Sequence, residues 1–265
     1  MALSEVCLSI GGIDISIKSP RGRFIKRLYS DYSHFLQENN SNIFFEIQLS
    51  HPLPVMNDAE ILLRRYNGAY ALKAEAFEGT IDLKQKQVQV TLPSNILIFN
   101  TFLRIFYSVI LPECAGFLVH AAGLEKDGKG YLFVGPSSSG KTTTAKNAKH
   151  YRVLSDELVI VRRIKERFYL FSTPFAGEFG RKTYNTSAQL KRIFFLHRQD
   201  QRRCKKQDIL KTTLYLLKNV LFFARDVSSN QKVLSLCRDL ASDLNGYRIN
   251  IAKCKALHSY IDEAN

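Results

Sequence analysis

The sequence predicts an α/β protein in two parts: a β-rich region over residues 1–112 that ends in an apolar helix, then a mixed sheet with helices over 113–265. Three observations carry that reading. Short alternating apolar runs, broken by turn residues, recur between Ile43 and Leu92. The run from Asn95 to Leu111 is apolar nearly all round and Pro112 stops it, as the end of a buried helix requires. Tyr131–Val134 is a wholly apolar run leading into Gly135-Pro136-Ser137-Ser138-Ser139-Gly140-Lys141-Thr142, and Thr143–Lys149 can continue as a helix.

The first part opens with an alternating stretch, Val6–Ile17, interrupted by Gly11-Gly12, which predicts a hairpin. Phe24–Leu36 places Phe24, Leu28, Tyr32 and Phe35 on one side of a short helix. Ile43–Leu49 alternates as a strand. Ala69–Ala74, Thr80–Leu83 and Val88–Leu92 follow, separated by Asn67-Gly68, Glu78-Gly79 and Lys84–Gln87, and together predict an antiparallel meander closed by Pro93. Their aromatic residues are read as core and cross-strand packing rather than chemistry. The apolar helix is expected to pack under the sheet of the second part.

With 265 residues, 45% of them hydrophobic, the chain has material for one large or two small cores and is too apolar to be disordered. A net charge of +14 suits an anionic partner: nucleotide, nucleic acid, acidic membrane face or acidic peptide. The five cysteines, Cys7, Cys114, Cys204, Cys237 and Cys254, form no C-x-x-C pair, which argues against a zinc site or a disulfide framework. Met1–Val6 lacks the basic and apolar regions of a signal peptide. Ile96–Leu111 is interrupted by Asn100 and Arg104 and is shorter than a bilayer span, so the expectation is a soluble, cytoplasmic protein without a membrane span.

In the second part, Phe117–Leu124 reads as a strand, Lys126–Lys129 as a turn and Tyr131–Val134 as the return strand. The loop that follows is a P-loop by pattern and context. Without a Cβ at Gly135 and Gly140 the backbone can curl and turn successive N–H groups inward, where phosphate oxygens accept them. Phosphate contacts are expected from Gly135, Pro136, Ser137, Ser138, Ser139, Gly140, Lys141, Thr142 and Thr143; Lys141 reaches the terminal phosphates and the Thr142 hydroxyl ligates Mg²⁺. ATP and Mg²⁺ are the cofactors implied. Asp156-Glu157, between Arg152–Ser155 and the apolar Leu158–Val161, supplies the carboxylates that metal and acceptor hydroxyl need, provided the chain turns there.

Taken together, His120-Ala-Ala-Gly123, Asp127-Gly-Lys-Gly130, Gly135–Thr142 and Leu154-Ser-Asp156-Glu157 resemble, in that order, the HPr kinase/phosphorylase-like P-loop kinases, including their shorter members that act on serine in peptides or on small hydroxyl substrates. The resemblance covers roughly the C-terminal 150 residues and extends through Thr173–Gly180 and Leu190–His197. It implies the fold of that family's C-terminal kinase domain. By position it implies Asp156 as the general base, Glu157 as the carboxylate near the metal, and His120 as a histidine lining the site; Lys141 completes the catalytic set. The chain also departs from the pattern. Glu157 stands where Asp is commoner. The Gly-rich Glu-Ile-Arg-Gly-like segment is missing, with Glu178 the nearest carboxylate, which counts against a reverse phosphorylase reaction. The N-terminal region does not match that of the bifunctional enzymes.

Toward the C-terminus, Arg181, Lys182, Lys191, Arg192, Arg198, Arg202, Arg203, Lys205 and Lys206 form the most basic stretch, with Tyr184, Phe194 and Phe195 among them. It reads as a solvated surface, as a face for an acidic peptide, or as a nucleic-acid contact. Asp208–Arg225 is expected as a helix with Leu210, Leu214, Leu217, Leu221 and Phe222 in the core, Ser229–Leu240 as another, and Tyr247–Ile251 as an edge strand. The leading functional reading is an ATP-dependent kinase acting on a hydroxyl, serine foremost, of a peptide, small protein or small molecule. The alternatives are a nucleotide-binding regulator without phosphotransfer and a nucleic-acid-linked ATPase using the 181–206 stretch. No Asn-Lys-x-Asp or Leu-Ser-Gly-Gly-Gln motif supports a GTPase or an ABC-type ATPase. Homo-oligomerisation is left open.

Overall fold

The structure is a computed structural model and describes residues 4–38, 41–50, 61–175, 183–197, 204–224 and 226–250. Glu178, Arg181, Lys182, Arg198, Arg202, Arg203 and Cys254 lie outside the described residues. The protein is mixed α/β with two mixed sheets. The chain divides into two units, Met1–Ile110 with Phe222–Ser229, and Leu111–Leu221 with Asn230–Asn265.

In the first unit, β1 (Ser4–Ile10) and β2 (Ile13–Ser19) form the hairpin that Gly11-Gly12 predicts. Next come α1 (Gly22–Asp31), a 3-10 turn at Ser33–Phe35, and β3 (Ile43–Ser50). The meander is β4 (Leu62–Tyr66), β5 (Ala69–Lys73), β6 (Glu78–Asp82) and β7 (Gln87–Pro93). The strand order is β1-β2-β3-β7-β6-β5-β4, with β3 parallel to both its neighbours. Two expectations change here. Leu62–Tyr66 is mostly exposed and shows no alternation, so nothing in its pattern marked it as a strand. Glu78-Gly79 lies inside β6 instead of in a turn. Gly79 is required there because a Cβ would sit 2.3 Å from the Gln89 carbonyl oxygen.

The apolar helix α2 (Ile96–Ile110) belongs to this unit, whereas the sequence assigns its packing to the second part. Its aromatic residues explain the assignment. Phe102 meets Phe45 and Phe77, each at 6.0 Å between ring centroids. Phe106 meets Phe45 at 4.7 Å and Phe99 meets Phe24 at 5.7 Å. Asn100, which interrupts the apolar run, accepts a hydrogen bond from the Tyr32 hydroxyl, so its polarity is satisfied within the core. With the following 3-10 turn (Leu111–Cys114), the stretch Ile96–Cys114 does reach membrane-spanning length and apolarity, but most of it is buried. Burial in the core accounts for its composition.

The second unit begins with β8 (Gly116–Lys126) and β9 (Lys129–Val134), joined by a turn with Asp127 and Gly128 at positive φ. After α3 (Lys141–Asn147) come β10 (Arg152–Ser155), β11 (Leu158–Ile164), β12 (Arg167–Phe171), β13 (Ser187–Leu196) and β14 (Cys204–Lys206). Helix α4 (Ile209–Leu217), the short β15 (Val220–Leu221), α5 (Val227–Asp243) and β16 (Gly246–Ile249) complete the described chain. Pairings run β8–β11–β12–β13–β9 and return from β9 to β8, closing a ring. The Lys165-Glu166 turn before β12 takes positive φ without a glycine, so it carries no turn signal in the sequence.

Three C-terminal expectations are corrected. The helix from Asp208 ends at Leu217, because Val220 and Leu221 pair with Val119 and Leu118 of β8 instead of continuing it. The α4 stripe faces the other way: Leu210 and Leu214 are 68% and 47% exposed, while Thr212, Thr213 and Leu216 are buried. Gly246 explains this, since a Cβ there would lie 2.8 Å from the Thr212 hydroxyl, so a close helix–strand approach selects the small polar face. Finally, β16 is not an edge strand; it sits between β13 and β14.

These contacts predict an asymmetry that urea unfolding can measure. Phe102→Ala is expected to destabilise the protein by about 3–5 kcal/mol. Leu210→Gln is expected to change stability by less than about 0.5 kcal/mol, although both positions look like core in the sequence.

Candidate active site

The phosphate-loop residues sit where β9 ends. Val134 and Gly135 are buried, Pro136, Ser137 and Ser138 form an exposed tip, and Ser139 returns to the interior. Ser138 has φ 61° and Gly140 has φ 107°. Gly140 is the N-cap of α3 and has no side chain to cap it, so the first-turn N–H groups of Lys141, Thr142 and Thr143 are left for an outside acceptor. Gly135 cannot carry a Cβ: the atom would lie 2.4 Å from the Ser139 hydroxyl and 3.2 Å from Leu196 Cβ. The Thr144 hydroxyl donates to the Gly140 carbonyl at 2.8 Å and fastens the loop to its helix.

Lys141 is folded into the loop. Its ammonium donates to the carbonyl oxygens of Gly135 (2.8 Å) and Pro136 (2.7 Å). Burial pushes its pKa down from 10.5 to about 8, and the Glu157 carboxylate pulls the other way. Glu157 therefore lies within electrostatic reach of the loop lysine. A cation drawn out of water, uncapped N–H donors and a loop with no room for a Cβ are features that suit an anion, and they fit a nucleotide's phosphates.

The acidic pair stands on the other side of β8. The chain does turn at Asp156-Glu157, which lie between β10 and β11. Ser155 makes the turn: its hydroxyl accepts from the N–H groups of Glu157 (3.3 Å) and Leu158 (3.2 Å). Thr173 braces it by donating to the Leu158 carbonyl at 2.5 Å. Asp156 is buried and Glu157 half-buried. Both the loop and the pair are anchored on one residue. Ala121 pairs with Val134 on one side, and its N–H donates to the Glu157 carbonyl at 3.0 Å on the other. Neighbouring strands lie about 4.8 Å apart, so the start of the loop and the acidic turn are separated by roughly 10 Å of backbone.

His120, half-buried, precedes Ala121 and pairs with Leu158; its N–H donates to the Asn219 carbonyl at 2.7 Å. The strand register thus brings His120, Lys141, Thr142, Asp156 and Glu157 into one region of the second unit. Ser155, Thr173 and Asn219 were missed as supporting residues. A serine two residues before Glu157 is a local turn signal, whereas Thr173 and Asn219 reach the site only through tertiary packing. Among the described residues, no group of three or more His, Cys, Asp or Glu side chains is placed to hold a metal by itself. A metal here would draw its remaining ligands from phosphate oxygens and water, as Mg²⁺ does.

Fold and site together define an α/β protein with a phosphate-loop motif facing an acidic turn. The chain belongs to the family described as SynChlorMet cassette protein ScmC, whose model matches residues 81–220, about half of the chain. The matched stretch runs from β6 through α2, the loop and the acidic turn to β15. No curated protein matches the chain. Among solved structures, the Hpr(Ser) kinase/phosphatase from Coxiella burnetii aligns over 48% of this chain and 92% of its own, at 14% identity and a TM-score of 0.28. A likeness of that degree assigns neither an activity nor a residue.

The Lys141 environment has a consequence for stability. Between pH 8 and 10.5 the unfolded chain binds more protons at this residue than the folded one, so its contribution to stability rises with pH across that window. Urea midpoints of the wild type and Lys141→Met, compared at pH 7 and 10.5, are expected to move in favour of the wild type at the higher pH. An unchanged difference would show that the ammonium is not desolvated.

Proposed function

We propose that the protein is an ATP-dependent phosphotransferase, HPr-kinase-like in its chemistry, that moves the γ-phosphoryl group to a hydroxyl, serine foremost, of a peptide, small protein or small molecule. The observation that carries this is the placement of loop and acidic turn on either side of Ala121, with Glu157 acting on Lys141. Phosphoryl transfer depends mainly on positioning and charge neutralisation, and the arrangement offers both. In this reading Gly135–Thr143 bind the phosphates and Lys141 neutralises charge at the transferring group. Asp156 takes the proton of the acceptor hydroxyl, and His120 lines the acceptor side. Thr142 and Glu157 hold Mg²⁺, directly or through water. When bound, Mg²⁺ supplies neutralisation of the phosphate oxygens. The reaction breaks the bond between the bridging oxygen and the γ-phosphorus, forms a bond from the acceptor oxygen to that phosphorus, and leaves the proton on Asp156.

A regulator without phosphotransfer would also use the loop but would not need a carboxylate across from it. Transfer of labelled γ-phosphate to candidate serine-containing peptides separates the two. Asp156→Asn is expected to lower the transfer rate by roughly 10²–10⁴-fold while leaving nucleotide affinity within about twofold of wild type. Full activity in Asp156→Asn would remove the kinase reading.

A further inference from the structure

We propose that the exposed face of the first unit's sheet is a docking groove for an extended peptide segment that carries a carboxylate; this does not depend on the reading of the phosphate loop. A cavity of about 620 Å³ opens on that face, lined by residues of β3, β7, β6, β5 and β4. Strand register sorts the lining into two rows. One runs Gln89, Thr80, Ala71, Arg64, and the other Gln48, Thr91, Glu78, Lys73, Leu62. Alternation puts both rows on one face, since the residues between them, among them Ile47, Leu72, Ile81 and Val90, are buried. Ala71 has the smallest side chain of either row and stands between Thr80 and Arg64, so the face is hollow there.

Among the described residues, the polar side chains of these two rows make no hydrogen bond or ion pair with one another or with the rest of the chain. Lys73 and Glu78 stand directly opposite each other in the ladder and still do not pair. Cross-strand pairs of that kind ordinarily stabilise an exposed face, so here donors and acceptors are left for an outside partner. The charges are uneven. Arg64 lies diagonal to Lys73 across β4 and β5, and Glu78 answers only one of the two, which leaves a positive charge in excess at the β4 end. A carboxylate on the guanidinium of Arg64 matches it, and can do so through two hydrogen bonds. Towards β3, Gln48, Gln89, Thr80 and Thr91 supply amides and hydroxyls, which both donate and accept, as peptide groups require. The dimensions agree. Five strands about 4.8 Å apart span roughly 19 Å, the length of about six extended residues. A nucleic acid suits the face less well: its phosphates would meet Glu78, and neither row holds an aromatic ring on which a base can stack.

The test uses the full chain and two dye-labelled pools of random octapeptides, one with Glu and one with Lys fixed at the fourth position, with binding followed by fluorescence anisotropy. The wild type is expected to bind the Glu pool about tenfold more tightly than the Lys pool, and Arg64→Gln to remove most of that difference. Ala71→Tyr fills the hollow without changing the charge, at an exposed strand position where Tyr is favoured, and is expected to weaken the Glu pool about tenfold while its urea midpoint stays at the wild-type value. Equal affinity for the two pools, or no binding of the Glu pool, overturns the inference. So does binding of the Glu pool that Ala71→Tyr leaves intact, because the basic surface as a whole would then be the attraction. A labelled single-stranded oligonucleotide that binds the wild type and is lost in Ala71→Tyr would give the groove to nucleic acid and overturn the peptide assignment. None of these outcomes bears on phosphate binding by the loop, which the Asp156→Asn experiment addresses separately.

Discussion

The register of β8 is the constraint on which the site depends. Its first half, Gly116–His120, pairs with β11, and Val119 and Leu118 also pair with β15. Its second half, Ala121–Lys126, pairs with β9, and β10 joins at Gly123–Glu125. The change of partner falls at Ala121, so the last residue of the loop strand and the backbone of Glu157 meet the same position. A slip of one residue would turn every side chain of β8 to the other face and separate the loop from the carboxylates. The closed ring of pairings through β11, β12, β13 and β9 resists such a slip, because all the ladders would have to move together.

That ring also bears the unfavourable geometry of the loop. Ser138 at positive φ and a buried lysine are each unfavourable in isolation, and such features persist where the surroundings over-determine them. Here the surroundings are a packed layer beneath the loop. Phe133 of β9 stacks on Phe194 of β13 at 4.9 Å, and Ala148, just past α3, joins the same buried cluster with Leu196 and Ile249. The lysine is held by two carbonyls of its own loop, a polar arrangement that a phosphate group can replace oxygen for oxygen.

The first unit shows a different balance. Its sheet and α2 are joined by aromatic edge-to-face contacts. Phe222–Ser229, from late in the chain, belongs to this unit: the Asp226 carboxylate accepts from Arg65 (2.8 Å) and from the Tyr70 hydroxyl (3.0 Å). Burial raises its pKa, but hydrogen bonds from the Ser229 N–H (3.1 Å) and side chain, and then from Arg65 and Tyr70, outweigh it and hold the value down to about 2. This pairing across more than 150 positions of sequence explains why the apparent helix from Asp208 could not continue through Arg225. Part of that segment is claimed by β8 and part by the first unit.

What the sequence determined by itself is whatever depends on local chemistry. Gly and Asx residues placed the hairpins at Gly11-Gly12, Asn67-Gly68 and Asp127-Gly128, and Pro112 bounded α2. The spacing Gly135–Thr142 announced the loop, and Ser155-Asp156-Glu157 announced a turn with two acids, because each pattern acts within a few residues of chain. Which face of α4 is buried, where its helix ends, the interior place of β16 and the unit in which α2 packs were decided only in three dimensions. Apolar spacing says that a face is buried but not against what. An open strand edge on β8, a bare glycine at 246 and a set of phenylalanines around Phe102 supplied the answer. The nearness of Lys141 to Glu157 belongs to the same class, since only the pairing of Ala121 with strands on both sides brings positions so far apart in the chain within reach of each other.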